Sequence, residues 1–207
     1  MENIKAYVIN LKKRPDRLQR FMENIGNQLS AEVVEGLDGS EIDPYNDYYR
    51  KNVNEWNFKH LSDKSLRGVI GCCVGHLSVY EKIIEKNIPR ALIFEDDAHP
   101  EVDNFKEIID NIVFPEKFSV IYLNQFSIRL RKSEEYVLKE INRANETAES
   151  YIISNEFAKL AYEYSKNNIG AADAHLHLCY EENKEYTPYI LSSPIFRQYN
   201  RKDSNIR

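Results

Sequence analysis

"ALIFEDDAHP" occupies residues 91–100. Ala91 to Phe94 form an unbroken apolar run that leads straight into Glu95, Asp96 and Asp97. A run this short and apolar, with Pro89 just ahead of it, reads as a buried strand. As a central strand of an open α/β sheet it would carry the three acids at its carboxyl end, where such sheets bind their ligands. Side chains alternate along a strand, so an extended chain puts Glu95 and Asp97 on one side and Asp96 on the other. Two carboxylates on one side make a half-site for a hard divalent cation such as Mg²⁺ or Mn²⁺. Taken alone, the run reads first as an exposed acidic loop capping the next segment.

The flanking sequence supplies the sheet. "KAYVINL" (5–11) reads as a buried strand, and Leu18, Phe21, Met22 and Ile25 form the stripe of a helix, with Pro15 in its first turn and Gly26 as its C-cap. "AEVVEG" (31–36) is a second strand, so the chain opens β-α-β. The polar, aromatic stretch at 45–65 has no clean period and reads as an irregular insertion or lid. "GVIGCCVGHLSVYEKIIEKN" (68–87) is helical in its second half at least, and Pro89 closes it. Beyond the acids, 103–112 reads as a helix with Asp103 as N-cap, and 118–124 as a strand. Residues 127–141 suggest a hairpin, and 149–154 another strand. Helices are expected over 155–168 and 172–182, then a final strand over 188–196. The tail from residue 198 is basic. Strands alternating with helices place the chain in the α/β class: a mixed sheet, parallel early, in one domain over 1–207.

Composition narrows the function. The 207 residues are 42% hydrophobic and 29% charged, with a formal net charge of −5. That balance argues against nonspecific nucleic-acid binding. Three cysteines, Cys72, Cys73 and Cys179, do not make a disulfide framework and read as thiols of a reducing compartment. No apolar run approaches the ~20 residues of a membrane span. The expectation is a cytoplasmic protein, with peripheral membrane contact left open through the basic tail.

Other strand ends add chemistry. "NLKKRPDR" (10–17) brings Lys12, Lys13, Arg14 and Arg17 to a helix N-terminus, which suits a diphosphate or nucleotide as well as a solvated surface loop. Asp38 sits beside Gly39 after the second strand, where turn chemistry alone would explain it. One basic and two acidic strand ends are explained together by a cation with a phosphorylated ligand.

In order and spacing, "VINLKKRPDR" (8–17), "GLDGSEI" (36–42), "GCCVGHLSVYEKIIEKNIPRALIFEDDA" (71–98) and "ESYIIS" (149–154) resemble glycosyltransferase family 25. That family includes lipooligosaccharide β-galactosyltransferases of lipopolysaccharide biosynthesis and collagen hydroxylysine galactosyltransferases. The resemblance implies a GT-A-like, Rossmann-related fold and an inverting transfer of a hexose, galactose or glucose, from a UDP-sugar to a hydroxyl, assisted by Mn²⁺ or Mg²⁺. The acceptor would be a glycan, a lipid-linked oligosaccharide or a hydroxylysine. The resemblance also assigns residues. Glu95, Asp96 and Asp97 would be the DxD-like site, with Asp97 the metal ligand and Glu95 supporting. Asn10, Leu11, Arg14 and Arg17 would fall in the nucleotide motif, Asp38 near the uracil, and His76 at the family histidine. Two departures stand out: Gly75 replaces a family Ser, and Val69 a Glu.

Transfer needs a base for the acceptor hydroxyl. Asp173, in "GAADAHLHL" (170–178), is the candidate, against a plain role as a helix N-terminal acid. His175 and His177 would share a face on a strand but not on the helix expected here. Two other readings stay open: a degenerate sugar-nucleotide or glycan-binding protein, and a metal-dependent phospho- or nucleotidyltransferase.

Overall fold

The computed structural model describes residues 4–130 and 135–199. The first strand, β1 (Lys5–Asn10), leads into α1 (Pro15–Phe21). The helix does not stop at Gly26. It passes through a π-helical turn (Met22–Gly26) into the short α2 (Asn27–Leu29) and ends at Ser30, in the left-handed conformation. Gly26 is not the cap; it lies inside the helix against the flexible Met22 side chain, whose sulfur a Cβ there would displace.

Next come β2 (Glu32–Glu35), a 3₁₀ turn (Gly39–Glu41), and two short helices, α3 (Asp47–Asn52) and α4 (Glu55–His60). The 45–65 stretch is thus helical, not irregular. Its helices are too short to show a period, but each has an asparagine at its start: Asn46 accepts from the Tyr49 N–H and Asn54 from the Trp56 N–H.

The long helix α5 (Asp63–Glu85) starts well before the segment whose periodicity announced it, capped by Ser62. Its first half hides behind Gly68, Gly71 and Gly75, all poor helix formers, of which Gly71 and Gly75 serve close packing here. A Cβ on Gly71 would lie 2.6 Å from the Leu37 carbonyl oxygen. A Cβ on Gly75 would lie 2.8 Å from Ile9 Cγ2, so the position where the family carries Ser faces β1. Val69, the other departure, is buried in the core. Since Leu37 presents rigid backbone, Gly71→Ala should cost about 1–3 kcal/mol in overpacking. That outweighs the ~1 kcal/mol gained in helix propensity, and a lower urea midpoint would register it.

Then follow β3 (Arg90–Glu95), β4 (Ala98–Pro100), α6 (Phe105–Asp110), β5 (Phe118–Tyr122), β6 (Leu138–Glu140) and β7 (Ser150–Ser154). The chain closes with α7 (Asn155–Lys166), α8 (Ala172–Glu182), β8 (Thr187–Leu191) and β9 (Phe196–Gln198). The expected N-cap of α6 falls to Asn104 rather than Asp103, with no side-chain capping bond. The 127–141 stretch forms no hairpin among the described residues, and its 131–134 segment lies outside them; β6 pairs with β8 instead. The expected last strand divides at Ser192–Pro194, and its second part, β9, leaves the main sheet to pair with β4.

The seven-stranded sheet runs β2-β1-β3-β7-β5-β8-β6. β1 is parallel to both neighbours, β2 and β3, while β7 is antiparallel to β3 and β5. Alternation splits β3 between two cores. Ala91 and Ile93 face the helices α5, α7 and α8, with Tyr7, Ile70 and Phe157. Leu92 and Phe94 face α1 and α6, with Phe21, Phe105 and Phe196. Edge strand β2 carries Glu32, which meets Lys5, Lys82 and Lys86, and such a charged edge resists pairing with another chain. Among the described residues, no helix is long and apolar enough to cross a membrane.

Candidate active site

Because β2, β1 and β3 are parallel neighbours, their carboxyl ends open on one side of the sheet. A cavity of about 560 Å³ lies there, a size usual for small-molecule sites. Its wall includes Leu11, Arg17, Asp38, His76, Glu95, Asp96 and Asp97. The sequence had named all seven, and they come from four separate segments of the chain.

Glu95 keeps the parity of Ile93 and points toward α5. Its Oε1 lies 3.4 Å from His76 Nε2 and 3.7 Å from Cys72 Sγ. The expected pairing of Glu95 with Asp97 on one side does not hold. β3 ends at Glu95 and the chain turns through Asp96 and Asp97, so both aspartates swing to the α1 side. There a single Arg17 nitrogen, Nη2, lies 2.5 Å from Asp96 Oδ1 and 2.8 Å from Asp97 Oδ2. All three side chains are buried.

Asp96 has no spare oxygen, since Oδ2 accepts from Asn10 Nδ2 at 2.6 Å. Asn10 also donates to the Arg14 carbonyl, so it positions Asp96 instead of lining the cavity. Asp97 Oδ2 accepts from Gln198 Nε2 at 3.0 Å, and the Asp97 carbonyl accepts from the Tyr199 N–H. The end of the chain therefore braces the acidic turn, a link that nothing in the basic composition of residues 198–207 announced; residues 200–207 lie outside the described ones. Asp97 Oδ1 is buried and meets no hydrogen-bond partner among the described residues.

Electrostatics follow from crowding. Burial pushes the Asp96 carboxyl up to about 6, against the pull of Arg17 and Asn10. Burial and then the Glu95 charge raise Asp97, again against Arg17. One guanidinium does not balance two buried aspartates with the half-buried Glu95 close by, and Asp97 offers an unused oxygen, so the donor set fits a hard divalent cation. A group whose carboxyl is raised on folding stabilises the fold at low pH and loses that contribution as pH rises through the folded value. Without a divalent cation, the Asp96 contribution to stability should therefore fall between about pH 4 and pH 6. Mn²⁺ should stabilise the chain more at pH 7.5 than at pH 5, which paired urea titrations measure.

Other expected residues sort differently. Asp38 caps the 3₁₀ turn through the Ser40 N–H and binds Lys13 Nζ at 2.6 Å. Burial raises its carboxyl, but the bonds from Lys13 and Ser40 outweigh this and hold it below the ordinary range. Arg14 is not in the cavity wall and pairs with Asp16. Asp173, near the start of α8, is also outside the wall. Burial, and after it the Glu95 charge, push its carboxyl up, so it shares the electrostatic neighbourhood of Glu95 and His76. His175 is buried on α8 against Ser165, while His177 bonds Tyr180 Oη, so they form no shared chelate.

Two cations of the wall, Lys64 and Arg67, were missed by sequence reading. They stand on the first turns of α5, Lys64 inside the 45–65 stretch without a clean period and Arg67 just past it. Neither makes an ion pair among the described residues.

The model of glycosyltransferase family 25 (LPS biosynthesis protein) matches residues 3–176. The probable inactive glycosyltransferase 25 family member 3 of Rattus norvegicus is 30% identical over 139 residues, 58% of this chain and 22% of that protein. Procollagen galactosyltransferase 2 of Mus musculus is 26% identical over 149 residues, 66% of this chain and 23% of that protein. The chain thus spans under a quarter of the length of these relatives. Among solved structures, a mutant Drosophila β-1,4-galactosyltransferase 7 in complex with manganese, UDP-Gal and xylobiose superposes with a TM-score of 0.51 at 11% identity, over 100% of this chain and 76% of that one. That likeness concerns the fold, a seven-stranded mixed sheet of GT-A type flanked by helices. The chain belongs to glycosyltransferase family 25.

Proposed function

We propose that the chain is an inverting, metal-dependent glycosyltransferase that moves a hexose, galactose or glucose, from a UDP-sugar to a hydroxyl of a glycan or glycoconjugate. The observation that carries this reading is Asp97, which has one buried oxygen that meets no partner among the described residues and lines a cavity whose wall also holds Lys13, Lys64 and Arg67.

Asp97, on the α1 side, would hold Mn²⁺ or Mg²⁺ with Glu95 supporting from the α5 side; when bound, the cation supplies positive charge to the diphosphate leaving group. Lys13, Lys64 and Arg67 add fixed positive charge where the diphosphate gathers negative charge. Asp38 and the small-residue surface of Gly36, Gly39 and Gly68 suit the flat uracil. Arg17 is occupied by Asp96 and Asp97, so it orients the acids rather than gripping phosphate. The acceptor oxygen bonds to the anomeric carbon as the bond from that carbon to the UDP oxygen breaks. Asp173 takes the acceptor proton, and its raised carboxyl makes it a stronger base than a solvated aspartate.

The test is UDP release from UDP-galactose and UDP-glucose, with and without Mn²⁺ and with a panel of sugar and hydroxylysine acceptors. Cation-dependent release is the expected result. UDP binding without turnover of any donor would instead support a degenerate nucleotide-sugar-binding member, a reading to which the relative named as inactive lends weight.

A further inference from the structure

Cys72, His76 and Glu95 bring three different ligand atoms within 4.8 Å of one another on the cavity wall. Cys72 and His76 lie four apart on α5, so one helical face presents both, and β3 supplies Glu95. We infer that this trio is a three-ligand zinc site whose open position faces the cavity.

The spacing supports the metal. Zinc–nitrogen and zinc–oxygen bonds of about 2.0 Å and a zinc–sulfur bond of about 2.3 Å imply tetrahedral edges of about 3.3 Å between N and O and about 3.5 Å between S and O. The observed separations are 3.4 Å from His76 Nε2 to Glu95 Oε1 and 3.7 Å from Cys72 Sγ to Glu95 Oε1. A sulfur, an imidazole and a carboxylate are a borderline-soft set that favours Zn²⁺ over Mn²⁺ or Mg²⁺.

The histidine is also held as a ligand would be. Its ring is buried, and Nδ1 lies 2.8 Å from Tyr151 Oη, which lies 2.8 Å from Tyr80 Oη. With the proton on Nδ1 donated to Tyr151, the Nε2 lone pair points to the metal. Binding releases the Cys72 thiol proton to solvent as the sulfur–zinc bond forms, and no redox step is involved. The site omits Asp97 but shares Glu95 with the cation proposed above. Zinc here should therefore oppose Mn²⁺-supported transfer; that consequence rests on the transferase reading, whereas binding does not.

The test uses the reduced chain titrated with Co²⁺, then with Zn²⁺ against a chromophoric chelator. One equivalent of Co²⁺ should produce thiolate-to-cobalt charge-transfer absorption, which Zn²⁺ abolishes. Cys72→Ser should lose the band and Cys73→Ala should keep it. Tyr151→Phe should keep it with roughly 10–100-fold weaker affinity. Circular dichroism confirms that each variant folds. Absence of the band from the wild-type chain, or its survival in Cys72→Ser, overturns the site.

Discussion

Asp97→Asn should lower sugar transfer by about 10²–10³-fold, the usual loss when one group that stabilises developing charge is removed. The substitution keeps the size of the side chain and a carbonyl oxygen for Arg17. It removes the charge from Oδ1, a buried oxygen that meets no partner among the described residues. The rate should therefore fall with little loss of fold, and the Mn²⁺ concentration for half-maximal rate should rise. Asp96→Asn is the comparison. Both Asp96 oxygens are already engaged, by Arg17 and by Asn10. Its effect should appear in the urea midpoint, with the Mn²⁺ requirement intact. Steady-state kinetics of both variants across Mn²⁺ concentrations decide the matter. Wild-type turnover by Asp97→Asn would remove Asp97 from the site.

The sheet was legible because its strands announce themselves. The apolar runs at β1, β3, β5 and β7 are short and nearly fully buried, and burial on both faces leaves little room for another reading. The same runs located the site, since parallel β1, β2 and β3 must end together. Resolution failed where the signal depends on tertiary contact. Gly71 and Gly75 look like breaks in a helix until the Leu37 carbonyl and Ile9 are seen against them. With the helix start lost, Lys64 and Arg67 were lost too. Alternation separated Glu95 from Asp96, but it cannot say where a strand stops. One turn after Glu95 was enough to move Asp97 from its expected companion to Asp96 and Arg17. The brace from Gln198 is a contact across 101 positions, and no local pattern encodes it.

Arg17→Met should destabilise the fold by about 3–5 kcal/mol at pH 7.5, the typical loss when one partner of a buried ion pair is removed. Methionine preserves much of the apolar stem, so the loss reports mainly the two aspartates left without a counter-charge. For a domain of ordinary stability, about 5–15 kcal/mol, this is a large fraction. The pH dependence separates charge from packing. Without the guanidinium, Asp96 and Asp97 rise further above their unfolded values, so each holds its proton in the folded chain to higher pH. Groups raised in this way favour the fold at low pH and lose that contribution as pH climbs through the folded value. The penalty should accordingly be smaller at pH 5 than at pH 7.5. Mn²⁺ should recover part of it at pH 7.5, since a cation held at Asp97 replaces some of the missing charge. Arg17→Lys should fall between the two, because an ammonium restores charge but lacks the planar fork of the guanidinium. Urea titrations of the three chains at both pH values measure these differences. A penalty equal at both pH values would assign the loss to packing of the side-chain stem instead of to the acids it holds.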